Sequence, residues 1–201
     1  MKLQYVLVAL MALPMSGCLF MVQKSAVVQS KESYDSSSQA RIRLYGPYGD
    51  RLIKHHNDRT CAQWRETAGA KLHHRVNNGL PRKIRNITAG IPSTERSVRA
   101  SNDTGTMFRD SFKEYVVDAD KPLTLDASSS IVLDNYSKSC RIAVNFVPES
   151  GKNYEAAYVE QNRTCTIKIT EITDQLSEKK LALTEPVKKV ESCSLPWDKS
   201  I

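Results

Sequence analysis

The sequence predicts an all-β domain, an antiparallel sandwich of two sheets. Three observations carry this expectation. Several short segments alternate apolar and polar side chains with period two, the mark of a strand with one buried face. Turn residues separate these segments at a spacing of roughly 8–12 residues, as in sandwiches. No long stretch carries the apolar period of an amphipathic helix. The chain has 201 residues, of which 40% are hydrophobic and 25% charged, enough for one ordinary globular domain plus extensions.

The chain opens with an address. Lys2 gives a positive start, Tyr5–Met15 is a short apolar stretch, and Ser16 and Gly17 are small, as a peptidase needs. Residues 1–17 therefore read as a secretory signal. Met15-Ser16-Gly17-Cys18 resembles the bacterial lipoprotein signal. Its lipobox ends in a cysteine that is lipidated and becomes the new first residue. Met15 stands where that family usually has leucine. The resemblance implies a lipid on Cys18 and a membrane anchor through it. Leu19 rather than aspartate follows, which in similar lipoproteins favours the outer membrane, facing the periplasm. Each buried methylene of an acyl chain contributes ~0.8 kcal/mol, so several chains hold firmly. An uncleaved anchor over Tyr5–Val22 is a competing reading, but Pro14, Ser16 and Gly17 interrupt a run already short of the ~20 apolar residues a span needs. Ordinary signal cleavage is the third. Residues 18–39, rich in Ser, Gln and charge from Gln23 on, read as a flexible tether.

The domain proper is expected over residues 40–201. Arg41-Ile42-Arg43-Leu44 sets Ile42 and Leu44 against two arginines, then stops at Gly46–Asp50. Cys140, Ile142, Val144 and Phe146 alternate with Arg141, Ala143 and Asn145, and Pro148 ends the run. Glu149–Asn153 makes a turn, and 154–161 reads as the return strand. Cys165, Ile167 and Ile169 begin the next strand. Weaker candidates are 51–55, 106–117, 122–125 and 131–133, with short edge strands at 180–183 and 187–190. Residues 62–72 could form one short helix. The phrase Phe146–Ala156, "FVPESGKNYEA", resembles the hairpin of small β-sandwich domains in bacterial envelope lipoproteins of uncharacterised role. The fold expected is an immunoglobulin/transthyretin-like antiparallel sandwich with a long basic loop insert at about 62–105.

Four cysteines remain after Cys18, namely Cys61, Cys140, Cys165 and Cys193. An even number in an exported protein argues for disulfides. Three pairings are open. If 140–148, 154–161 and 165–171 form a meander, Cys140 and Cys165 lie two strand spacings apart, ~9.5 Å. A disulfide needs its Cα atoms within ~7 Å, which disfavours that pair unless the third strand crosses to the other sheet. Cys165–Cys193 and Cys61–Cys140 are the expected bonds. No cysteine spacing suits zinc.

Lys71–Arg99 holds seven Lys or Arg and one acid, Glu95, within a chain of net charge +7. Removing residues 1–17 takes away only Lys2 and leaves +6. The segment reads either as a solvated loop or as an anion-binding surface centred on Arg82, Lys83 and Arg85. Lipid phosphate, an acidic glycan or an acidic protein would be its partner. Nucleic acid is not expected, since no aromatic ladder is present to stack bases.

Other signals carry little. His55-His56 and His73-His74 are adjacent pairs, and neighbours on a strand point to opposite faces. One histidine from each could join Asp58, yet nothing specifies it, so no metal or cofactor is expected. Ser177–Lys180 matches Ser-x-x-Lys without its companion motifs. Asp134 and Glu149 have no partner for acid–base work. The Asn-x-Ser/Thr sites at Asn86, Asn102, Asn135 and Asn162 read as coincidence. Tyr45, Tyr48, Tyr154 and Tyr158 read as core or strand-face residues. No catalytic residue is expected. The function expected is a membrane-anchored envelope lipoprotein acting as a structural or adaptor module, with anionic lipid or glycan binding through 71–99 as the alternative.

Overall fold

The computed structural model describes residues 26–47, 52–68, 85–103, 110–133, 136–162 and 164–195. The signal segment, Cys18, Tyr48, His73, His74, Arg82, Lys83, Asp134 and Asn135 lie outside them.

The elements in chain order are β1 (Ala26–Gln29), β2 (Gln39–Pro47), β3 (Ile53–Asn57), α1 (Cys61–Thr67), β4 (Arg85–Thr88), α2 (Glu95–Asn102) and β5 (Asp110–Asp118). Then follow β6 (Leu123–Leu133), β7 (Tyr136–Phe146), β8 (Asn153–Gln161), β9 (Thr164–Leu176), β10 (Ala182–Pro186) and β11 (Glu191–Cys193). They form two sheets. The larger has seven strands in the order β1-β4-β5-β2-β8-β9-β10, and the smaller has four in the order β11-β7-β6-β3. Period-two alternation turns one face of each sheet inward. Ile42 and Leu44 of β2, Val117 of β5, Tyr154 and Ala156 of β8, and Ile167 and Ile169 of β9 meet Leu123, Leu125 and Ala127 of β6 and Val144 and Phe146 of β7 in one core. The molecule is thus a mostly-β, two-sheet structure, as the alternation predicts.

The smaller sheet is antiparallel throughout. The larger is not: β1 pairs β4, β4 pairs β5, and β2 pairs β8 in parallel. Parallel neighbours need long crossovers, and the chain between β2 and β8 supplies one by building β3, β6 and β7, three of the four strands of the smaller sheet, on the way. The expected hairpin at 146–156 is also corrected. β7 and β8 belong to different sheets, and Pro148–Lys152 carries the chain between them. Gly151 takes φ +77° there, where only glycine is unstrained. The turn is where the sequence puts it, closed by Lys152 N–H donating to Glu149 O (3.2 Å). Alternation cannot say which sheet the next strand joins.

Three further expectations change. Within the segment read as a tether, β1 forms the edge of the larger sheet, and Asp35 closes a turn by accepting from Ser37 and Ser38. All four β1 side chains are exposed, so the strand is held by its backbone and leaves no burial pattern. The basic insert is not one long loop. Arg85–Thr88 is β4, inside the larger sheet, and Glu95–Asn102 is α2, capped at Thr94 by reciprocal bonds with Ser97. Residues 187–190 are not a strand; β11 begins at Glu191. The short helix expected at 62–72 is α1, Cys61–Thr67, begun by a Thr60–Gln63 capping box.

The disulfides are Cys61–Cys193 and Cys140–Cys165, with Cα atoms 5.1 Å and 6.2 Å apart. The expected Cys165–Cys193 and Cys61–Cys140 pairings are overturned. β7, β8 and β9 form no meander, so Cys140 and Cys165 face each other across the two sheets instead of lying two strands apart in one. Beside the bridge, Ser129 Oγ of β6 lies 2.9 Å from Tyr158 Oη and donates to Glu160 Oε2 (3.1 Å), both on β8.

Candidate functional site

The outward face of β2 is where sequence reasoning and structure diverge most. Alternation places Arg41, Arg43 and Tyr45 opposite Ile42 and Leu44, on a face that would ordinarily meet water. Arg43 is instead 1% exposed. The strand register explains its neighbours: Glu114 of β5 lies directly beside it on one side and Glu155 of β8 on the other. Arg43 Nε donates to Glu114 Oε1 (2.9 Å) and Nη1 to Glu155 Oε1 (2.6 Å). Its Nη2 donates to the carbonyls of Ile91 and Pro92 (3.0 and 3.1 Å), which lie in the segment covering this face. Glu114 Oε2 accepts from Ala89 N, Ile91 N and Thr88 Oγ1 (2.6, 3.1 and 2.9 Å). Glu155 Oε1 also accepts from Tyr45 and from the capping hydroxyl of Thr94.

Buried charges persist only when paired and hydrogen-bonded. Burial opposes the Arg43 charge, but the negative groups around it win and hold its pKa above the ordinary value. Burial and the Glu155 carboxylate push the Tyr45 phenol well up, so it remains a neutral donor. Phe112 and Arg96 complete the site: Arg43 stands 5.1 Å from the Phe112 ring centroid, and Arg96 stacks 4.2 Å over Tyr45 while reaching Asp110 (3.5 Å). Burial pushes the Asp110 carboxyl up despite Arg96. The cluster spends its hydrogen bonds on the segment 88–97 and so fastens that cover to the sheet.

The smaller sheet has a matching outer site. Arg141 of β7 forms a bidentate pair with Asp126 of β6 (3.0 and 2.7 Å). Trp64 of α1, 1% exposed, lies over it at 5.3 Å and packs on Ala143 and Cys193. Asn145 and Thr124 both donate to the Arg59 carbonyl just before the helix (2.8 and 2.7 Å).

A third feature is open. Beneath the connection from β10 to β11 runs a groove of about 690 Å³ between the two sheets. Phe146 and Tyr154 form its floor and are buried, with ring centroids 5.3 Å apart and edge to face. Val147 and Val190 on its rim are 52% and 38% exposed.

The expected site residues are otherwise dispersed. The backbone of Arg85 lies in β4, while Arg82 and Lys83 are outside the described residues. His55 is half-buried and packs against Tyr115 with the rings tilted (centroids 4.3 Å apart), and Asp58 approaches Lys121 (3.9 Å). Asn86 is fully buried, its Oδ1 accepting from Phe112 N, which a glycan acceptor could not be. Ser177–Lys180 is a turn, with Lys180 at φ +57°. Among the described residues, no three His, Cys, Asp or Glu stand close enough to hold a metal ion, and no helix is long and apolar enough to cross a membrane. The chain matches no protein-family model, no curated protein and no solved structure.

Proposed function

We propose that this protein is a lipid-anchored bacterial envelope lipoprotein that serves as a structural or adaptor module. The observation carrying this reading is the agreement between its start and its cysteines. The lipobox-like Met15–Cys18 implies export, and the remaining four cysteines stand in two bonded pairs, as suits an oxidising compartment. The Arg43 cluster supports a scaffold rather than a reaction centre, because its hydrogen bonds are spent on holding the covering segment in place. Two sheets on one core, bridged by Cys140–Cys165, support an immunoglobulin/transthyretin-like sandwich elaborated by α1, β4 and α2. The outer membrane, facing the periplasm, is the proposed address.

The test is metabolic labelling of the full chain in a bacterial host with a clickable fatty acid, followed by membrane fractionation. Label on the wild type and its loss in Cys18→Ser is the expected result. An unlabelled wild-type chain in the soluble fraction would overturn the anchor. Crosslinked pull-down of the labelled protein, against an Arg82→Glu/Lys83→Glu/Arg85→Glu control, then tests the role. A stoichiometric protein partner kept by the control supports the adaptor. A lipid or glycan lost only in the control transfers the function to the basic segment.

A further inference from the structure

We propose that the groove beneath the β10–β11 connection docks a basic, extended peptide segment of a partner protein. This deepens the adaptor reading and rests on it for its biological purpose, although the binding itself can be measured without a membrane.

The whole chain carries +7, so a random patch of its surface should be cationic. The groove is not. Glu149, Glu171, Glu185 and Glu191 line it, against Lys188 and Lys189. Glu171 is held by Lys152 at 2.8 Å. Glu185 and Glu191 enter no ion pair among the described residues, and both are exposed on the connection's flanks. An anionic ligand would meet these carboxylates at short range, whereas a Lys or Arg side chain would neutralise them.

Shape and hydrogen bonding point to an extended chain. The apolar floor of Phe146 and Tyr154, continued by Val147 and Val190, would take aliphatic side chains. Tyr154 Oη accepts from Glu149 N–H (3.0 Å), and its own proton has no acceptor among the described residues. A peptide carbonyl supplies one. β10 also borders the groove and is the edge of the larger sheet; beyond β9 it meets the 91–94 segment at Ala182, which bridges Thr94. Past that bridge, the N–H and C=O of Thr184 and the carbonyl of Pro186, which has no N–H, face away from β9 and can bond an extended main chain.

The probe is a fluorescein-labelled nonapeptide of alternating Lys and Val, with a Glu/Val nonapeptide as its opposite. Fluorescence anisotropy on the purified full chain measures both. Saturable binding of the Lys/Val peptide alone is expected. Glu185→Gln/Glu191→Gln should weaken it about five-fold, the scale of two exposed ion pairs, and raised salt should weaken it further. Both positions are exposed, so circular dichroism should show an unchanged fold. No saturation, equal affinity for the Glu/Val peptide, or full affinity in the double variant would each overturn the proposal. Failure of fatty-acid labelling would instead overturn the anchor and leave the groove untouched.

Discussion

The two outer faces of the sandwich face the same problem and solve it differently. Each carries a buried arginine that a covering segment seals from water. Over the larger sheet, the charges themselves hold the cover: Arg43 and Glu114 together bond to five backbone or hydroxyl groups of residues 88–92. Over the smaller sheet, Arg141 and Asp126 pair with each other, and the cover is held by the Trp64 indole and the Cys61–Cys193 bond. A buried ion pair can therefore fasten its cover directly, as Arg43 and Glu114 do, or lie beneath a cover that a ring and a disulfide also hold.

The largest break in this comparison should come from Glu114→Ala. It leaves the buried Arg43 guanidinium with one carboxylate, Glu155, in place of two, strands the amides of Ala89 and Ile91, and should cost ~3 kcal/mol or more. Urea unfolding with intact disulfides measures it. The Cys61→Ser/Cys193→Ser double variant should cost somewhat less, ~2–4 kcal/mol, because the bond closes a long loop of 132 residues in the unfolded chain. Thermal unfolding against the wild type checks that. Thr94→Val removes both the α2 cap and a donor to Glu155, and should cost ~1–2 kcal/mol.

The smallest effect sharpens the picture at β3. Burial, with His56 next to it, holds the His55 pKa below its ordinary 6.5; Lys113 adds to this and Glu32 opposes it. The unfolded state then binds the proton more readily, so this residue lowers stability as pH falls through 6.5 and has no effect well above it. His55→Gln should flatten the dependence of Tm on pH between about 5 and 7. An unchanged slope would remove His55 from the account.

How legible this was in the sequence depends on the kind of signal. Ile42 and Leu44, Val144 and Phe146, and Ile167 and Ile169 all point inward as their alternation requires, since burial of one face is a local property of a strand. Arg43 was legible as outward-facing but not as buried, because alternation assigns a face and says nothing of what lies on it. Its carboxylate partners come from strands 71 and 112 residues away in sequence, and no periodicity links them. α2 leaves a capping signal at Thr94 and Ser97 but no apolar stripe: Ala100 is buried while Val98 is 37% exposed. The cysteine pairing was not legible, because a meander would set Cys140 and Cys165 two strands apart, and the six-residue passage from Phe146 to Asn153 changes sheets instead. The groove rests on the same passage and was equally hidden, though the crowding of Glu185, Lys188, Lys189 and Glu191 around two valines was visible.

The most direct measurement is hydrogen–deuterium exchange by mass spectrometry on the Cys61→Ser/Cys193→Ser variant. Exchange should quicken over 61–68 and 191–195 while residues 86–97 keep their wild-type protection. Equal loss of protection over both covers would contradict the account, because the cover of the larger sheet would then depend on the disulfide rather than on Arg43 and Glu114.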